Sequence, residues 1–79
     1  MNFQTAAKNV ESKVGSLSND QKLTIYKYYK QATLGDVHGS RPSLFDLKGQ
    51  AKWDSWASIK GMSKRDAEAK YISYIQNLP

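Results

Sequence analysis

The chain has no cysteine among its 79 residues, which excludes disulfide bonds and thiolate metal sites. This absence is typical of a reducing compartment, so we expect a cytoplasmic protein. With 39% hydrophobic residues and two tryptophans, the length suffices for one self-folding domain over residues 1–79. The fold must therefore rest on packing, without covalent cross-links.

Long apolar runs are also missing. Lys8, Glu11 and Lys13 interrupt the N-terminal stretch. We therefore expect neither a signal peptide nor a membrane-spanning helix in this sequence.

Groups that carry out catalysis are scarce. The single histidine, His38, has no neighbour spaced as a triad or metal partner. The seven carboxylates show no paired spacing, and no glycine-rich phosphate motif occurs. We expect His38 to be solvent-exposed and the protein to bind a ligand, with no catalytic residue, metal or cofactor.

Positive charge is what the chain has in excess. The net charge is +5, and the isoelectric point is about 9.6. Such a balance favours an anionic partner, which includes nucleic acid, an acidic membrane surface or a phosphorylated small molecule. Charge alone does not choose among them.

The apolar periodicity and the capping signals predict four helices. The first spans residues 2–14 and is ended by Gly15. The second follows a capping box at Ser18 and Gln21 and is stopped by Gly35. The third spans about 49–60 and is closed by Gly61, and the fourth runs from Ser63 to about Asn77.

No strand signal competes with these helices, so the expected class is all-α. The residues between the second and third helices form a long loop, which we expect to be ordered and functional. Leu44, Phe45 and Leu47 are expected to fix this loop through an apolar contact of its own.

Two runs that mix aromatic residues with lysine point to a nucleotide-phosphate site. In the first run Tyr26, Tyr29 and Lys30 share one helix face. In the second, Lys52 beside Trp53 supplies a cation from another helix. Rings accept an adenine face, phenol hydroxyls bond a ribose or phosphate, and ammonium groups neutralise phosphate.

These runs closely resemble the acyl-CoA-binding protein family. The family pattern Y-x-x-Y-K-Q-A-T-x-G-D matches Tyr26, Tyr29, Lys30, Gln31, Ala32, Thr33, Gly35 and Asp36. The pattern K-G-x-A-K-W-D-x-W matches Lys48, Gly49, Ala51, Lys52, Trp53, Asp54 and Trp56, after an Arg41-Pro42 pair. The resemblance extends over nearly the whole chain and implies an up-down-down-up four-helix bundle.

The resemblance also implies the roles of individual residues at the nucleotide end. The Tyr26 hydroxyl is expected to reach the 3′-phosphate of CoA, and Tyr29 to pack its ring on adenine. Lys30 and Lys52 are expected to face the phosphates. Two further expected contacts complete this set: Ala7 leaves a slot for the adenine ring, and Tyr71 reaches the ribose.

The acyl chain is expected to lie in a groove near Leu23, Ile25 and Ala51. Trp53 is expected to line the site, the core or both, whereas Trp56 is expected to be plain core. Two positions depart from the family pattern: Lys22 stands where many members have an apolar residue, and Glu11 where some have a lysine.

The expected function is stoichiometric binding of medium- to long-chain acyl-CoA by a monomeric carrier. Transient contacts with acyl-CoA-using enzymes and membranes belong to this expectation, and stable binding of nucleic acid does not. Two alternatives remain open at this point: a basic helical nucleic-acid-binding domain, and a protein-docking bundle without a small ligand. Binding to a phosphate backbone would fall steeply with salt, which distinguishes the first alternative.

Overall fold

Four helices make up the regular structure, and a polar side chain caps the start of each. A computed structural model describes residues 1–79 and contains no strand, so the expected all-α class is confirmed. The helices are α1 (Phe3–Lys13), α2 (Asn19–Leu34), α3 (Leu47–Ala57) and α4 (Lys64–Gln76). Their N-caps are Asn2, Ser18, Asp46 and Ser63.

The predicted limits of α2 and α4 are confirmed. The Gln21 backbone N–H donates to Ser18 Oγ at 3.1 Å, and the Ser18 N–H donates back to Gln21 Oε1 at 2.8 Å. This reciprocal pair completes the capping box. Gly35 ends α2 with a φ of +84°, a conformation that side chains disfavour. Ser63 caps α4, which ends one residue before Asn77.

The predicted end of the first helix is wrong in detail. The α-helix stops at Lys13 and continues as a 3₁₀ turn over Val14–Ser16. Gly15 lies inside that turn and does not adopt a positive φ, so it is not a left-handed helix cap. The tighter turn leaves Val14 47% exposed. Val14 is therefore outside the buried core in which its spacing placed it.

The third helix is displaced toward the N-terminus relative to the predicted range. It begins at Leu47 because the Asp46 carboxylate accepts the Gly49 N–H at 2.9 Å. It ends at Ala57, after which Ile59 N–H bonds to Trp56 O and Lys60 N–H to Ala57 O. These i to i−3 bonds tighten the chain into a turn that ends at Gly61. Sequence periodicity does not separate such a turn from a continuing helix.

Helix α2 is the centre of the bundle. It packs against α3 on one side and α4 on the other, and α1 packs against α4. Ala6, Ile25, Tyr71 and Ile75 form the buried cluster shared by α1, α2 and α4. Burial of these side chains is the main source of stability in a chain without cross-links.

A polar junction made by Gln31, Asp36 and Trp56 holds the other end of the bundle. Gln31 is fully buried, and its Nε2 donates to Asp36 Oδ1 at 2.8 Å and Met62 O at 2.7 Å. Trp56 Nε1 donates to Gln31 Oε1 at 3.1 Å and to Gly35 O at 2.9 Å. Trp56 is thus buried as expected, but it is part of a hydrogen-bonded network.

The loop between α2 and α3 is fixed by polar contacts, and the expected apolar contact is wrong. Leu44, Phe45 and Leu47 are 77%, 99% and 73% exposed. The loop is held instead by a two-point ion pair between Arg41 and Asp54, with both hydrogen bonds at 2.8 Å. These groups satisfy their charges while leaving the three apolar side chains in solvent.

Candidate ligand-binding site

The principal cavity lies where all four helices meet and has a volume of about 380 Å³. This volume is within the range of small-molecule sites. Its lining is hydrophobic except for two lysines and includes Val10, Val14, Leu17, Lys22, Leu23, Ile25, Tyr26, Tyr29, Lys52 and Tyr71. An apolar hollow with ammonium groups at its edge suits a molecule that is anionic at one end and apolar at the other.

A second cavity, of about 440 Å³, adjoins the first along α2 and α3. The two cavities share Lys22, Leu23 and Lys52. The remaining lining residues of the second cavity are Asn19, Leu47, Lys48 and Ala51. Together the two cavities form one path from the Tyr26 region to the start of α3.

Two cations from different helices lie close to the ring of Tyr26. Lys30 Nζ lies 5.6 Å from the ring centroid, and Lys52 Nζ lies 5.7 Å from the same centroid. Lys30 also lies 5.8 Å from the Trp56 ring. These distances are within the reach of a cation–π attraction, which holds each ammonium near the ring.

Neither of these lysines is neutralised by an acid. The only salt bridge in the chain joins Arg41 to Asp54, which is outside both cavities. Two unpaired ammonium groups beside one phenol form a region of positive potential that attracts a phosphate.

A cluster of three aromatic rings forms the wall on the other side of Tyr26. Phe3 stacks on Tyr29 with centroids 5.6 Å apart, and Tyr71 lies 4.9 Å from Phe3 and 5.8 Å from Tyr29. Phe3 of α1 therefore packs against both α2 and α4. Tyr29 is 41% exposed, so part of its ring remains accessible to a planar ligand.

Tyr71 keeps its phenol proton over a wide pH range. Burial, with the neighbouring Tyr29, raises the pKa of Tyr71 to about 12. The hydroxyl is therefore a neutral donor and acceptor at the edge of the principal cavity near neutral pH.

The structure brings most of the sequence-predicted site residues together. Six of them line the principal cavity: Leu23, Ile25, Tyr26, Tyr29, Lys52 and Tyr71. Ala51 lines the second cavity. Ala7, Lys30 and Trp53 line neither, although Lys30 contacts the Tyr26 ring.

Ala7 and Trp53 have surroundings of a different kind. Ala7 is half-buried and packs on the core cluster. Trp53 is half-buried on α3, and its buried Nε1 has no hydrogen-bond partner. A buried donor without a partner is uncommon in proteins.

Sequence reasoning missed the cavity-lining residues contributed by α1 and by the α1–α2 connection. Val10, Val14 and Leu17 line the principal cavity. Val10 and Val14 share the apolar stripe of α1, but their spacing alone predicts core packing. Their position depends on the 3₁₀ turn, which no sequence signal indicated. Lys22, one of the two positions that depart from the family pattern, lines both cavities.

Three further observations concern metal sites, membrane-spanning helices and the single histidine. No group of three or more histidine, cysteine or acidic side chains is arranged to hold a metal ion. None of the four helices combines the length and hydrophobicity that crossing a bilayer requires. His38 is exposed, as expected, and its ring meets the Trp56 ring edge-on at 5.4 Å.

Comparison with known proteins gives a consistent result. The sequence profile of the family described as "Acyl CoA binding protein" matches residues 1–75. Acyl-CoA-binding protein homolog 1 of Caenorhabditis elegans is 41% identical over 78 residues, which cover 99% of this chain and 91% of that protein. Acyl-CoA-binding domain-containing protein 3 of Oryza sativa subsp. japonica is 43% identical over 76 residues, covering 96% of this chain and 49% of that protein. The chain thus spans about half the length of this rice relative.

The backbone is similar to a solved structure as well. The crystal structure of Oryza sativa Acyl-CoA-Binding Protein 2 superposes with a TM-score of 0.92 at 41% identity, covering 96% of this chain and 83% of that one. This likeness confirms the expected up-down-down-up bundle. None of these descriptions concerns nucleic acid, so the alternative of a nucleic-acid-binding domain gains no support.

Proposed function

This chain belongs to the acyl-CoA-binding protein family, and from that premise we propose that it binds medium- to long-chain acyl-CoA thioesters one to one. The observation that carries the proposal is the Tyr26 ring with two ammonium groups from different helices near it, next to a mostly apolar cavity. A CoA thioester has the matching chemistry, since several phosphate charges stand at one end and an aliphatic chain at the other.

The head group is assigned to Tyr26, Lys30 and Lys52. Their support is the convergence of two unpaired cations on one phenol, which suits the 3′-phosphate of the CoA ribose. Each hydrogen bond to a charged group contributes about 1.5–3 kcal/mol to binding. The two lysines belong to α2 and α3, so the phosphate is held across the contact between these helices.

The adenine and ribose are assigned to the aromatic wall. Tyr29 is partly exposed, and Tyr71 keeps its hydroxyl protonated. Ala7 is a small residue of α1 that packs on the core cluster to which Tyr71 belongs. Trp53 is kept in the proposal as the neighbour of Lys52 in sequence, and its buried Nε1 has no hydrogen-bond partner within the protein.

The acyl chain is assigned to the path formed by the two cavities. Leu23 belongs to both, Ile25 to the principal one and Ala51 to the second. Each methylene removed from water contributes about 0.8 kcal/mol. Covering the chain while fixing the head group keeps the amphiphilic ester in solution.

The biological role that follows is that of a pool former and carrier. A monomer that sequesters the ester inside the cell releases it to acyl-CoA-using enzymes and to membranes through transient contacts. The protein's part is binding: the ligand is cargo, and no side chain acts on the thioester.

Isothermal titration calorimetry tests the proposal. Hexadecanoyl-CoA is expected to bind one to one and far more tightly than free CoA or hexadecanoate, because only the ester engages both the cations and the apolar path. Lys30→Ala should weaken the ester about tenfold or more, as loss of a charge-assisted bond predicts.

Lys27→Ala is the matched control for that substitution. Lys27 is also on α2 and lies 5.1 Å from a tyrosine ring, that of Tyr28, but it lines neither of the two cavities. Its removal should leave affinity nearly unchanged. Equal affinity of the wild-type protein for the ester and for free hexadecanoate would refute head-group recognition.

A further inference from the structure

The end of the α2–α3 loop and the first residue of α3 present the most exposed large hydrophobic side chains of the molecule. Leu44, Phe45 and Leu47, here called the apolar ridge, are 77%, 99% and 73% exposed. No other large hydrophobic residue exceeds 51%. Three such residues within four positions form a contiguous apolar surface, and surfaces of this kind in soluble proteins mark contact sites.

The ridge is held outward by polar contacts on both sides. Before it, the Pro42 carbonyl accepts Gln50 Nε2 at 3.0 Å. Within it, the Asp46 N–H donates to Ser43 O at 3.0 Å, which closes a turn with Leu44 and Phe45 at its two corners. The side chain of the same Asp46, between Phe45 and Leu47, caps the start of α3. The side chains are therefore fixed in solvent by the backbone, and their exposure is not the result of a loose loop.

Positive charge accompanies the ridge, where three lysines outnumber the single acid, Asp46. Lys48 follows Leu47, and Lys52 lies one turn further on α3. Lys22 faces them across the second cavity, which Leu47 also lines. None of these lysines is in a salt bridge. The carboxylate of Asp46, which lies between Phe45 and Leu47 in sequence, accepts the Gly49 N–H and remains the one negative charge within this segment.

We infer that the apolar ridge, with Lys22, Lys48 and Lys52, is a docking surface for an anionic phospholipid bilayer. Apolar side chains enter the acyl boundary of a bilayer while neighbouring lysines remain with the lipid phosphates. The projecting apolar ridge suits a bilayer, because a bilayer deforms around a convex surface. A folded protein partner would instead need a pocket that matches the ridge.

Leu47 and Lys48 belong both to the docking surface and to the lining of the second cavity. Docking through this surface therefore places the second cavity against the lipid. The path assigned to the acyl chain then opens toward the bilayer. This part of the inference rests on the proposed function, whereas binding of the ridge to lipid does not require any acyl-CoA.

Vesicle co-sedimentation of the full chain without acyl-CoA tests the inference. The probes are phosphatidylcholine vesicles with and without phosphatidylserine. The wild-type protein should partition into the anionic vesicles preferentially, and salt should weaken this binding. The double substitution Leu44→Ser/Phe45→Ser should lower the partition coefficient about tenfold or more, since two apolar side chains no longer enter the lipid.

Leu34→Ser is the matched control. Leu34 is a 51% exposed leucine at the end of α2, away from the ridge. Its substitution should leave partitioning unchanged. Hexadecanoyl-CoA affinity in solution should be the same for the double variant and the wild type, because Leu44 and Phe45 line neither cavity. Failure of acyl-CoA binding with vesicle binding intact would overturn the proposed function and leave the docking surface standing.

Phe45→Trp measures insertion directly. Its emission, taken as the difference from the wild-type protein, should shift to shorter wavelength on anionic vesicles and be quenched by brominated lipids. The inference is overturned if the double variant and Leu34→Ser partition alike, or if phosphatidylserine makes no difference. It is also overturned if sedimentation velocity shows a wild-type dimer that the double substitution dissociates, since a second copy would then cover the ridge.

Discussion

At the residue scale, the proposed recognition of the ligand depends on Tyr26 and the two ammonium groups beside it. Lys30 and Lys52 reach the same ring from different helices, at 5.6 and 5.7 Å. The arrangement concentrates positive charge without an acid to neutralise it. In the proposed complex, a ligand phosphate supplies the counter-charge for these two lysines.

Removing the 3′-phosphate from the ligand should therefore mimic removing its protein partners. Acyl-dephospho-CoA is expected to bind more weakly than acyl-CoA, by about 1.5–3 kcal/mol for each charge-assisted hydrogen bond that the phosphate would have made. Tyr26→Phe and Lys30→Ala should each weaken acyl-CoA and affect the dephospho ligand much less. Calorimetry on both ligands gives the coupling energy for each residue.

Tyr28→Phe is the control for the tyrosine. Tyr28 is two positions away on α2 and lines neither of the two site cavities. It should bind both ligands as the wild type does. If Tyr26→Phe and Lys30→Ala weaken both ligands equally while circular dichroism shows intact helices, the two residues act through packing or the general field.

Which side chains share a helix face was easier to predict from the sequence than which apolar residues line a cavity from a turn. Tyr26, Tyr29 and Lys30 share a helix face by spacing alone, and that convergence survives in the structure. Val14 and Leu17 were missed because their exposure to the cavity follows from a 3₁₀ turn. A hydrophobic stripe specifies that side chains are buried, but it does not distinguish a core from a ligand cavity.

At the element scale, the polar junction fixes how α2, α3 and the start of α4 meet. Gln31 Nε2 reaches both Asp36 and the Met62 carbonyl, while its Oε1 accepts Trp56 Nε1. Lys30 precedes Gln31 and lies over the Trp56 ring. The junction therefore also sets where one of the two site cations is held.

Gln31→Ala is expected to lower the free energy of unfolding by about 1–3 kcal/mol, because it leaves buried hydrogen-bonding groups without their partner. Urea denaturation measures the change. Gln76→Ala, at the exposed end of α4, is the control and should be nearly neutral. A similar, small effect for both substitutions would show that the junction is not a structural support.

Helix identity was predictable at this scale, whereas two helix ends were not. The capping box at Ser18 and the glycine at 35 are local signals, and both limits of α2 followed from them. The start of α3 depended on Asp46, whose capping role competes with other turn conformations of the loop. The polar junction joins residues up to 31 positions apart, which no local pattern encodes.

At the scale of the whole molecule, the free energy of unfolding should be nearly constant around neutral pH and should fall at both acid and alkaline pH. The Gly61 N–H and the Gln31 amide hold the pKa of Asp36 below its ordinary value of 3.8. The hydrogen bonds from Arg41 hold the pKa of Asp54 below the same value. Each carboxylate therefore stabilises the fold above pH 3.8, and this contribution is lost as the pH falls through the lowered pKa.

The alkaline limit belongs to Tyr71. Its pKa is raised from 10.0 to about 12, so the unfolded chain releases this proton first. Its contribution is complete below pH 10.0 and declines toward pH 12. Chemical denaturation across pH should show both losses. Asp36→Asn should reduce the loss of stability at acid pH, and Tyr71→Phe should reduce the loss at alkaline pH. If the pH dependence of stability is unchanged in both variants, these two residues are not its source.

The bundle as a whole is what joins a cationic site to an apolar path. Residues from α1, α2, α3 and α4 line the principal cavity, so neither half of the recognition exists in an isolated helix. The family pattern made this fold predictable, while the outward-held apolar ridge was not, because hydrophobic residues in a loop are expected to pack inward.

The most direct test of this joint recognition is a calorimetric series of acyl-CoA esters of increasing chain length. Binding should stay one to one, and four added carbons should tighten it by up to roughly two orders of magnitude until the apolar path is full, at about 0.8 kcal/mol per methylene. An affinity that does not change with chain length would contradict the account, because the apolar path would then play no part in binding.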